Sequence, residues 1–409
     1  MIDFLERSGL RQSLEGLTPK AFWATYPRAV EVEWLILRSM LGLERVIELD
    51  ELRHDALLAV KLLLEKLPHR ATVYRSLDRF QRPADVEEVR AVHREVLAAG
   101  LVSVASVILD LDSTVETVHG RQERASVGYN PRYHGRPSYQ PLLAFEGQTQ
   151  SVVHTKLRPG THPSARQVIT FYRQAKRQLP AERPVRFVRA DAGFGSDAFF
   201  RELEAEAEQR PLGYTIKHRL TSHLQSQFGR KLPWRRLPSA GTTIIEAASL
   251  FYQAPTWAKA RRVVLIRQRP SLEPAQLRLF EAFAWEYQAI VTNLDWDEED
   301  VWHFCNQRCT CENGIKELKD GLGIACVNKA AFGANAADLV IKGIACNLFL
   351  QLKALAPPAY RSYTVRRFRR ALLRVPGILA RHARQFILHL PSLWVHRTAW
   401  ETIRLALST

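Results

Sequence analysis

A short apolar run rich in β-branched residues constrains the fold more than any other feature of this 409-residue chain. The run extends from Val104 to Leu111 and ends at Asp112, Ser113 and Thr114. Continuous apolar strands of this kind are buried on both faces of a sheet that helices cover. Four further strand-like runs follow, with helical patterns between them, so the sequence predicts an α/β fold with a mixed sheet. These strands are predicted at 139–146, 151–158, 185–190 and 212–217, and the helices at 164–179, with Ser164 as N-cap, and from about Asp197.

The rest of the chain differs in pattern. Leu, Val and Ala recur at three- and four-residue spacing before residue 100, which predicts helices. Tryptophans, prolines and strand-like runs at 262–268 and 282–292 indicate a β-rich insertion. A long helix is predicted from Asp297 to about Leu322, and the remainder is predicted to be helical, with a basic segment at 361–384. The predicted regions are a helical 1–100, the first part of the α/β domain at 101–218, the insertion at 219–293, a helix of the α/β domain at 294–330 and a basic helical region at 331–409.

The charge balance points to a polyanionic partner. The chain has 58 Lys and Arg residues against 42 Asp and Glu residues, a formal net charge of +16. Nucleic acid is the first candidate for such a partner. The five cysteines do not suggest a secreted disulfide scaffold, and we see no signal-peptide pattern. The apolar stretch 339–355 contains Lys342, Asn347 and Lys353, so we expect a cytoplasmic protein without a membrane partner.

Three carboxylates stand at positions where a sheet of this kind forms sites. Asp112 and Asp191 each end a predicted strand, and the carboxyl ends of parallel strands meet at one edge. Glu312 lies on the long helix that follows the insertion. Converging carboxylates repel one another unless a cation is present, and Mg²⁺ prefers oxygen ligands of this type. Asp110, two residues before Asp112 on the same strand face, is an alternative first ligand.

Basic residues accompany Glu312 on its predicted helix. Arg308, Glu312 and Lys319 share one helical face, which Lys316 extends. Taken alone, this pattern is better explained by ordinary surface ion pairs of Glu312 with Arg308 and Lys316. In a strongly basic chain with two strand-end aspartates, that explanation becomes weaker. Lys217, just after a predicted strand, is a weaker candidate for a phosphate contact.

Three cysteines cluster on the same predicted helix. Cys305, Cys309 and Cys311 are spaced by four and two residues, and no second ligand pair of zinc-site spacing accompanies them. Because zinc sites usually pair two such elements, this spacing makes a poor chelate.

The run from 305 to 319 resembles the Tyr-x2-Arg-x3-Glu-x6-Lys signature of DDE transposases from bacterial insertion sequences. Arg308, Glu312 and Lys319 match the signature, whereas Cys305 stands where the family has Tyr. Further segments are similar to the thirteen-eighty family of these transposases, namely 110–114, 118–123, 128–131, 157–160 and 189–193. The resemblance covers roughly residues 100 to 390, and the first hundred residues match less clearly.

The resemblance implies a ribonuclease-H-like catalytic domain with a β-strand insertion before the glutamate. It implies that Asp112, Asp191 and Glu312 are the catalytic and metal-binding triad, and the Asp-x-Thr form of the first motif favours Asp112 over Asp110. It also implies that Arg308 and Lys319 contact DNA phosphates near the cleaved end. The cofactor would be Mg²⁺ or Mn²⁺, with two ions at the site. The partners would be double-stranded DNA and a second copy of the chain in a homodimer.

We therefore expect a transposase that cuts and rejoins DNA at the ends of its own insertion sequence, by cut-and-paste transposition in the bacterial cytoplasm at the nucleoid. Two alternatives stay open. A catalytically decayed or repurposed transposase would only bind DNA, and Cys305 motivates this reading. A divalent-metal nuclease of the same fold would hydrolyse DNA without strand transfer.

Overall fold

The computed structural model describes residues 1–20, 24–163, 165–229, 232–238, 243–270, 285–382 and 385–408. Its centre is a nine-stranded mixed sheet, and a three-stranded sheet and a two-stranded hairpin lie outside it. The strands, in chain order, are β1 (Val107–Ser113), β2 (Glu116–Thr117), β3 (Ser126–Val127), β4 (Pro137–Tyr139), β5 (Leu142–Glu146), β6 (Val152–Lys156), β7 (Val185–Ala190), β8 (Gly213–His218), β9 (Arg235–Leu237), β10 (Thr243–Tyr252), β11 (Arg261–Pro270), β12 (Glu286–Thr292), β13 (Ile378–His382) and β14 (Gln385–His389).

The first half of the large sheet contains the strands that the apolar runs predict. Its order is β6-β5-β1-β7-β8, with β1, β7 and β8 parallel and β5 and β6 antiparallel to their neighbours. Two parallel crossovers carry helices, as the alternation of patterns indicates. The predicted α/β class with a mixed sheet is confirmed.

The strand-rich segment after residue 219 continues the same sheet. β12 pairs antiparallel with β8, and β11, β10 and β9 follow in antiparallel order. The predicted strands at 262–268 and 282–292 correspond to β11 and β12, except that residues 282–284 lie outside the described residues. The extension places the end of the insertion directly before the segment that carries Glu312.

The sheet is buried on both faces, which explains the continuous apolar runs. On β5, Leu142 and Ala144 belong to one hydrophobic core, whereas Leu143 and Phe145 belong to the other. Because successive strand residues point to opposite faces, only an apolar residue at every position satisfies both cores.

Helices cover both faces of the sheet. The helices are Ile2–Arg7, Leu10–Glu15, Arg28–Leu41, Ala56–Lys61, Arg70–Leu77, Pro83–Gly100, Val168–Gln178, Asp197–Ala207, Ser222–Gln225, Glu298–Asn306, Cys309–Lys316, Phe332–Ala354, Pro358–Arg361, Val365–Phe368 and Arg397–Ala406, with 3-10 turns at Val46–Leu52 and Ser226–Gly229 and π-helical turns at Glu317–Gly321 and Arg369–Leu373. The helix Phe332–Ala354 is long and apolar enough to cross a membrane by length and composition alone, but 83% of its apolar window is buried inside the protein. It packs against Pro83–Gly100, Arg28–Leu41 and β6, as a core helix does.

Two helix predictions are wrong, and a third lies partly outside the described residues. The helix predicted from Asp297 to Leu322 is broken at 307–308, where Arg308 N–H bonds to the carbonyl of Cys305 instead of continuing the regular ladder. The C-terminal region is not wholly helical, because Pro376 and Gly377 end the helical pattern and a hairpin of β13 and β14 follows. The predicted N-cap Ser164 is outside the described residues, and the helix begins at Val168.

The basic segment 361–384 also divides into two kinds of side chain. Arg366, Arg367 and Arg370 are exposed, but Arg369 is buried. The Arg369 guanidinium donates to the carbonyl oxygens of Met40 at 2.9 Å and Gly321 at 2.8 Å. Arg369 therefore joins the N-terminal helices to the π-helical turn and is not on a solvated helix face.

Candidate active site

The two strand-end aspartates lie side by side at one edge of the large sheet. Asp112 is the sixth residue of β1, and Asp191 directly follows β7. β1 and β7 are parallel neighbours whose register pairs Leu111 with Ala190, so the next residues on the two strands are Asp112 and Asp191. Burial raises the pKa of the Asp112 carboxyl, and the nearby charge of Asp191 raises it further. The edge thus concentrates negative charge, as the strand pattern predicts.

Arg308 connects Asp112 to Glu312. Its Nη1 donates to Asp112 Oδ2 at 2.8 Å, and its Nη2 donates to Glu312 Oε1 at 3.1 Å. Arg308 and Asp112 are both buried, whereas the Glu312 side chain is mostly exposed. Arg308 lies directly before the helix Cys309–Lys316 that carries Glu312, so the two residues form an i,i+4 pair. The predicted ion pair of Arg308 with Glu312 is therefore present, but it also includes the strand aspartate.

Asp110 occupies a different environment from Asp112. Arg189 of β7 holds it in a bidentate pair, Nε to Oδ1 at 2.6 Å and Nη2 to Oδ2 at 2.8 Å. Both side chains are inaccessible to solvent, with exposed fractions of 0% and 1%. Arg189 also donates to the carbonyl of Phe304 at 3.0 Å and lies over the Phe304 ring. Asp110 is thus neutralised in the core, which favours Asp112 as the residue available to a ligand.

A cavity of about 1540 Å³ opens at the carboxyl ends of β1 and β7. Asp191 and Glu312 line it, together with Ser113 and Thr114, which follow Asp112. Its basic lining residues include Arg132, Arg219, Lys316 and Lys319. Asp112, Lys217 and Arg308 are not among the lining residues, although Asp112 directly precedes Ser113.

Lys319 reaches the cavity from the π-helical turn Glu317–Gly321. Its Nζ donates to the carbonyl of Val115 at 3.3 Å. Burial lowers the pKa of Lys319, whereas the charge of Glu116 raises it. Lys316, the last residue of the helix Cys309–Lys316, lines the same cavity. The signature lysine therefore approaches the carboxylates, although not on one continuous helix.

The three signature-region cysteines point into different environments. Cys305 is buried in an apolar cluster with Val301, and Cys311 is buried in the separate core beneath the sheet. Cys309 is exposed. Their side chains do not converge on a common point.

Glu116 is a buried acidic residue of the cavity that the sequence pattern does not single out. Glu116 of β2 lines the cavity but is almost completely buried, and its Oε1 has no hydrogen-bond partner among the described residues. Burial raises the pKa of Glu116 to about 7, against the lowering effect of Lys342 and Lys319. Its position four residues after Asp112 was the only available signal.

The oxygen atoms of the three candidate carboxylates are chemically suited to a divalent cation. Carboxylate oxygens from Asp112, Asp191 and Glu312 are the ligand type that Mg²⁺ and Mn²⁺ prefer. In the conformation described, no three His, Cys, Asp or Glu side chains of the described residues are grouped closely enough to hold a metal ion. Instead, the Arg308 guanidinium supplies the positive charge between Asp112 and Glu312.

The fold and the cavity define an α/β protein with carboxylates and basic side chains at one edge of a mixed sheet. The family model described as transposase DDE domain group 1 matches residues 30–408. The chain therefore belongs to this family of DDE-domain transposases.

Among solved structures, the chain is similar to the cryo-EM structure of a piggyBac transposase synaptic complex with hairpin DNA. That similarity has 13% sequence identity and a TM-score of 0.49, and it covers 86% of this chain and 74% of that chain. No curated protein matches the chain.

Proposed function

We propose that this protein is a metal-dependent transposase that cuts DNA at the ends of its own insertion sequence and joins those ends to target DNA. The observation that supports this most is the meeting of Asp112 and Asp191 on adjacent parallel strands, with Glu312 tied to Asp112 through Arg308. Membership of the DDE-domain transposases supports DNA as the substrate. The Arg308, Glu312 and Lys319 pattern further supports the Tyr-Arg-Glu-Lys type and the thirteen-eighty family.

The proposed catalytic roles follow from the positions of the side chains. Asp112, Asp191 and Glu312 would hold two Mg²⁺ or Mn²⁺ ions through their oxygens. Such ions lower the pKa of bound water and stabilise a leaving oxygen, which is the chemistry that phosphodiester hydrolysis needs. Asp110 takes no part, because Arg189 satisfies both of its oxygens.

The basic residues would handle the DNA backbone. Lys316 and Lys319 line the cavity and would contact phosphates next to the cleaved bond. Arg308 would offset the negative charge that grows on the phosphate in the transition state. Lys217 is retained as a weaker contact outside the cavity. Two chains would hold two DNA ends, so the proposed working form is a homodimer on double-stranded DNA in the cytoplasm.

The reaction is proposed in two steps. Water attacks the phosphodiester at the element end and frees a 3′-hydroxyl. That hydroxyl then attacks a phosphodiester of the opposite strand or of target DNA, and the displaced 3′-oxygen leaves. The number of phosphodiester bonds is conserved in the second step, so joining needs no external energy source.

A labelled duplex spanning one edge of the element tests the proposal. We expect cleavage at one discrete phosphodiester with Mg²⁺ or Mn²⁺ and none with a chelator. Glu312→Gln and Asp191→Asn should abolish cleavage while DNA affinity stays within a few-fold. The matched control is Glu299→Gln, which should cut DNA like wild type. Glu299 is a carboxylate on the preceding helix and does not line the cavity.

The same experiment separates the two alternatives. Cleavage without joined product on an added target duplex would favour a nuclease of the same fold. Specific binding without cleavage under every metal condition would favour a decayed copy that acts only as a DNA-binding protein. Full cleavage by Glu312→Gln would refute the proposed site.

A further inference from the structure

A loop with two exposed tyrosines forms one wall of the cavity. Residues 128–136, here called the tyrosine loop, connect β3 to β4. Tyr129 and Tyr133 both line the cavity that Asp191 and Glu312 line. Their exposed fractions are 73% and 49%, so neither ring is used in a core. Two large aromatic rings facing an open, polar cavity call for an explanation beyond packing.

The loop is held in a fixed shape. Asn130 is buried, and its Nδ2 donates to Thr117 Oγ1 at 2.9 Å. Its Oδ1 accepts from the backbone N–H of Tyr133 at 3.0 Å and of Arg132 at 3.3 Å. Pro131 restricts the backbone between these bonds. The two tyrosines are thus presented from a braced turn, which lowers the entropy cost of binding with them.

The loop base is also packed closely against its neighbour. A Cβ built on Gly128 would lie 1.9 Å from the carbonyl oxygen of Gly160, so only glycine permits this approach. The contact fixes the start of the loop against the segment that follows β6. The edge of the His119 ring meets the Tyr133 ring at a centroid distance of 6.4 Å, which supports that ring from one side.

Basic residues line the same cavity as the tyrosines. They are Arg132 of the loop, Arg219 and Lys316, and none of the three forms a salt bridge with a carboxylate of the described residues. Arg132 is close enough to Lys319 to lower the pKa of that lysine. Aromatic faces beside unpaired cations are the combination that binds single-stranded nucleic acid, through base stacking and phosphate contact. A paired duplex shields its base faces and offers only phosphates.

We infer that the tyrosine loop binds unpaired nucleobases of the DNA strand next to the phosphate held at Asp191 and Glu312, with Tyr129 and Tyr133 stacking on the bases and Arg132 contacting the backbone. This inference rests on the proposed function, and it adds the substrate form: a DNA end whose last base pairs are open. The loop would stabilise the separated strand and so bring the cleavable phosphate to the carboxylates.

Binding of two labelled duplexes tests the inference. Both carry the element edge, one fully paired and one with three mismatched pairs at the cut position, and binding is measured in chelator so that cleavage plays no part. Wild type should prefer the mismatched duplex. Tyr129→Ala and Tyr133→Ala should each weaken that complex about 5- to 100-fold, the range for loss of one stacked base. Binding of the paired duplex should change little.

Control variants and a photocross-link test whether the aromatic rings of the tyrosine loop are responsible for the preference. Tyr129→Phe and Tyr133→Phe keep the ring and should retain the preference. Phe251→Ala removes an aromatic side chain that is 80% exposed on β10, away from the cavity, and should have no effect. A 5-iodouracil base in the mismatched segment should photocross-link to residues 128–136 in wild type.

The outcomes distinguish this inference from the proposed function. If wild type cuts the element edge but the alanine variants bind both duplexes like wild type, or the cross-link maps elsewhere, the role of the tyrosine loop is refuted and the proposed function stands. If wild type neither binds nor cuts either duplex, both are refuted.

Discussion

The ion pair of Asp110 with Arg189 allows the two candidate aspartates of β1 to be separated by experiment. Asp110→Asn removes the negative charge but keeps the shape of the side chain. Arg189 then keeps its contacts with Phe304 and Gln307 but loses its counter-charge in the core. We expect a large loss of stability from this change, whereas Asp112→Asn should fold and fail to cut DNA.

The magnitude follows from the burial of the pair. Both side chains are inaccessible, and two charge-assisted hydrogen bonds of 2.6 and 2.8 Å join them. Removing one partner of a buried pair costs about 3–5 kcal/mol, because the other charge stays buried without compensation. Asp110→Leu combined with Arg189→Met removes both charges and should recover most of this loss. Glu202→Gln breaks the bidentate but exposed pair with Arg173 and should change the stability much less, because solvent screens that pair.

Urea unfolding followed by circular dichroism measures these differences, as shifts of the midpoint at unchanged slope. The expected order of stability is wild type, then Glu202→Gln, then the double variant, then Asp110→Asn. A loss of under 1 kcal/mol in Asp110→Asn would refute the buried-pair reasoning. A double variant less stable than Asp110→Asn would refute it as well.

Three further predictions concern residues around the site. Burial raises the pKa of Glu116 to about 7 from 4.5. Between these two pH values the folded state binds more protons than the unfolded state, so the free energy of unfolding falls as the pH rises. The total decrease is about 3 kcal/mol. Glu116→Gln should therefore exceed wild type in urea midpoint at pH 8 and match it near pH 5; an unchanged difference across this range would contradict the assignment. Cys305→Tyr restores the signature residue but places a larger side chain at a fully buried position beside Val301. We therefore expect the free energy of unfolding, measured by thermal unfolding, to fall by about 1–3 kcal/mol. A variant as stable as wild type would show that the space around residue 305 accepts the ring. Arg308→Met leaves buried Asp112 without its charged partner and should lower the free energy of unfolding by about 3 kcal/mol. Mn²⁺ should raise the melting temperature of this variant more than that of wild type. Equal shifts would show that Arg308 does not compete with the cation.

The central strands of the large sheet could be predicted because the residues that favour strand formation there are also the residues that the two cores bury. Every position from Val107 to Leu111 faces a core or pairs with a neighbour, so the apolar run identifies β1 without ambiguity. The strand-end position of Asp112 and Asp191 follows from the same runs and from the parallel pairing of β1 and β7.

The break before Glu312 could not be predicted from periodicity. Residues 297–322 keep a helical pattern throughout, whereas the break is accompanied by bonds to residues distant in sequence. Arg308 donates to Asp112, 196 residues away, and Gln307 accepts from Arg189. Asp110 and Asp112 likewise share one strand face, and the strand pattern alone does not distinguish them. Arg189 on the neighbouring strand distinguishes them, and its partner can be identified only once the register of β1 and β7 is known.

The buried Glu116 and the hairpin at 378–389 were missed for related reasons. Glu116 lies in a two-residue strand that has no periodic signal of its own. The C-terminal region contains enough Leu, Val and Arg to resemble a helix, and the hairpin depends on the stop at Pro376 and Gly377.

The most direct test of the account is to locate the divalent cation on the polypeptide. Fe²⁺ accepts ligand sets similar to those of Mn²⁺, and with ascorbate and hydrogen peroxide it generates hydroxyl radicals that cut the chain next to the bound ion. The protein in complex with its element-end duplex would be treated in this way, and the fragments sized and sequenced by mass spectrometry. The account predicts cuts close to residues 112, 191 and 312 that excess Mg²⁺ suppresses and that Asp191→Asn eliminates. Cuts elsewhere, or an unchanged pattern in Asp191→Asn, would contradict a metal site formed by these three carboxylates.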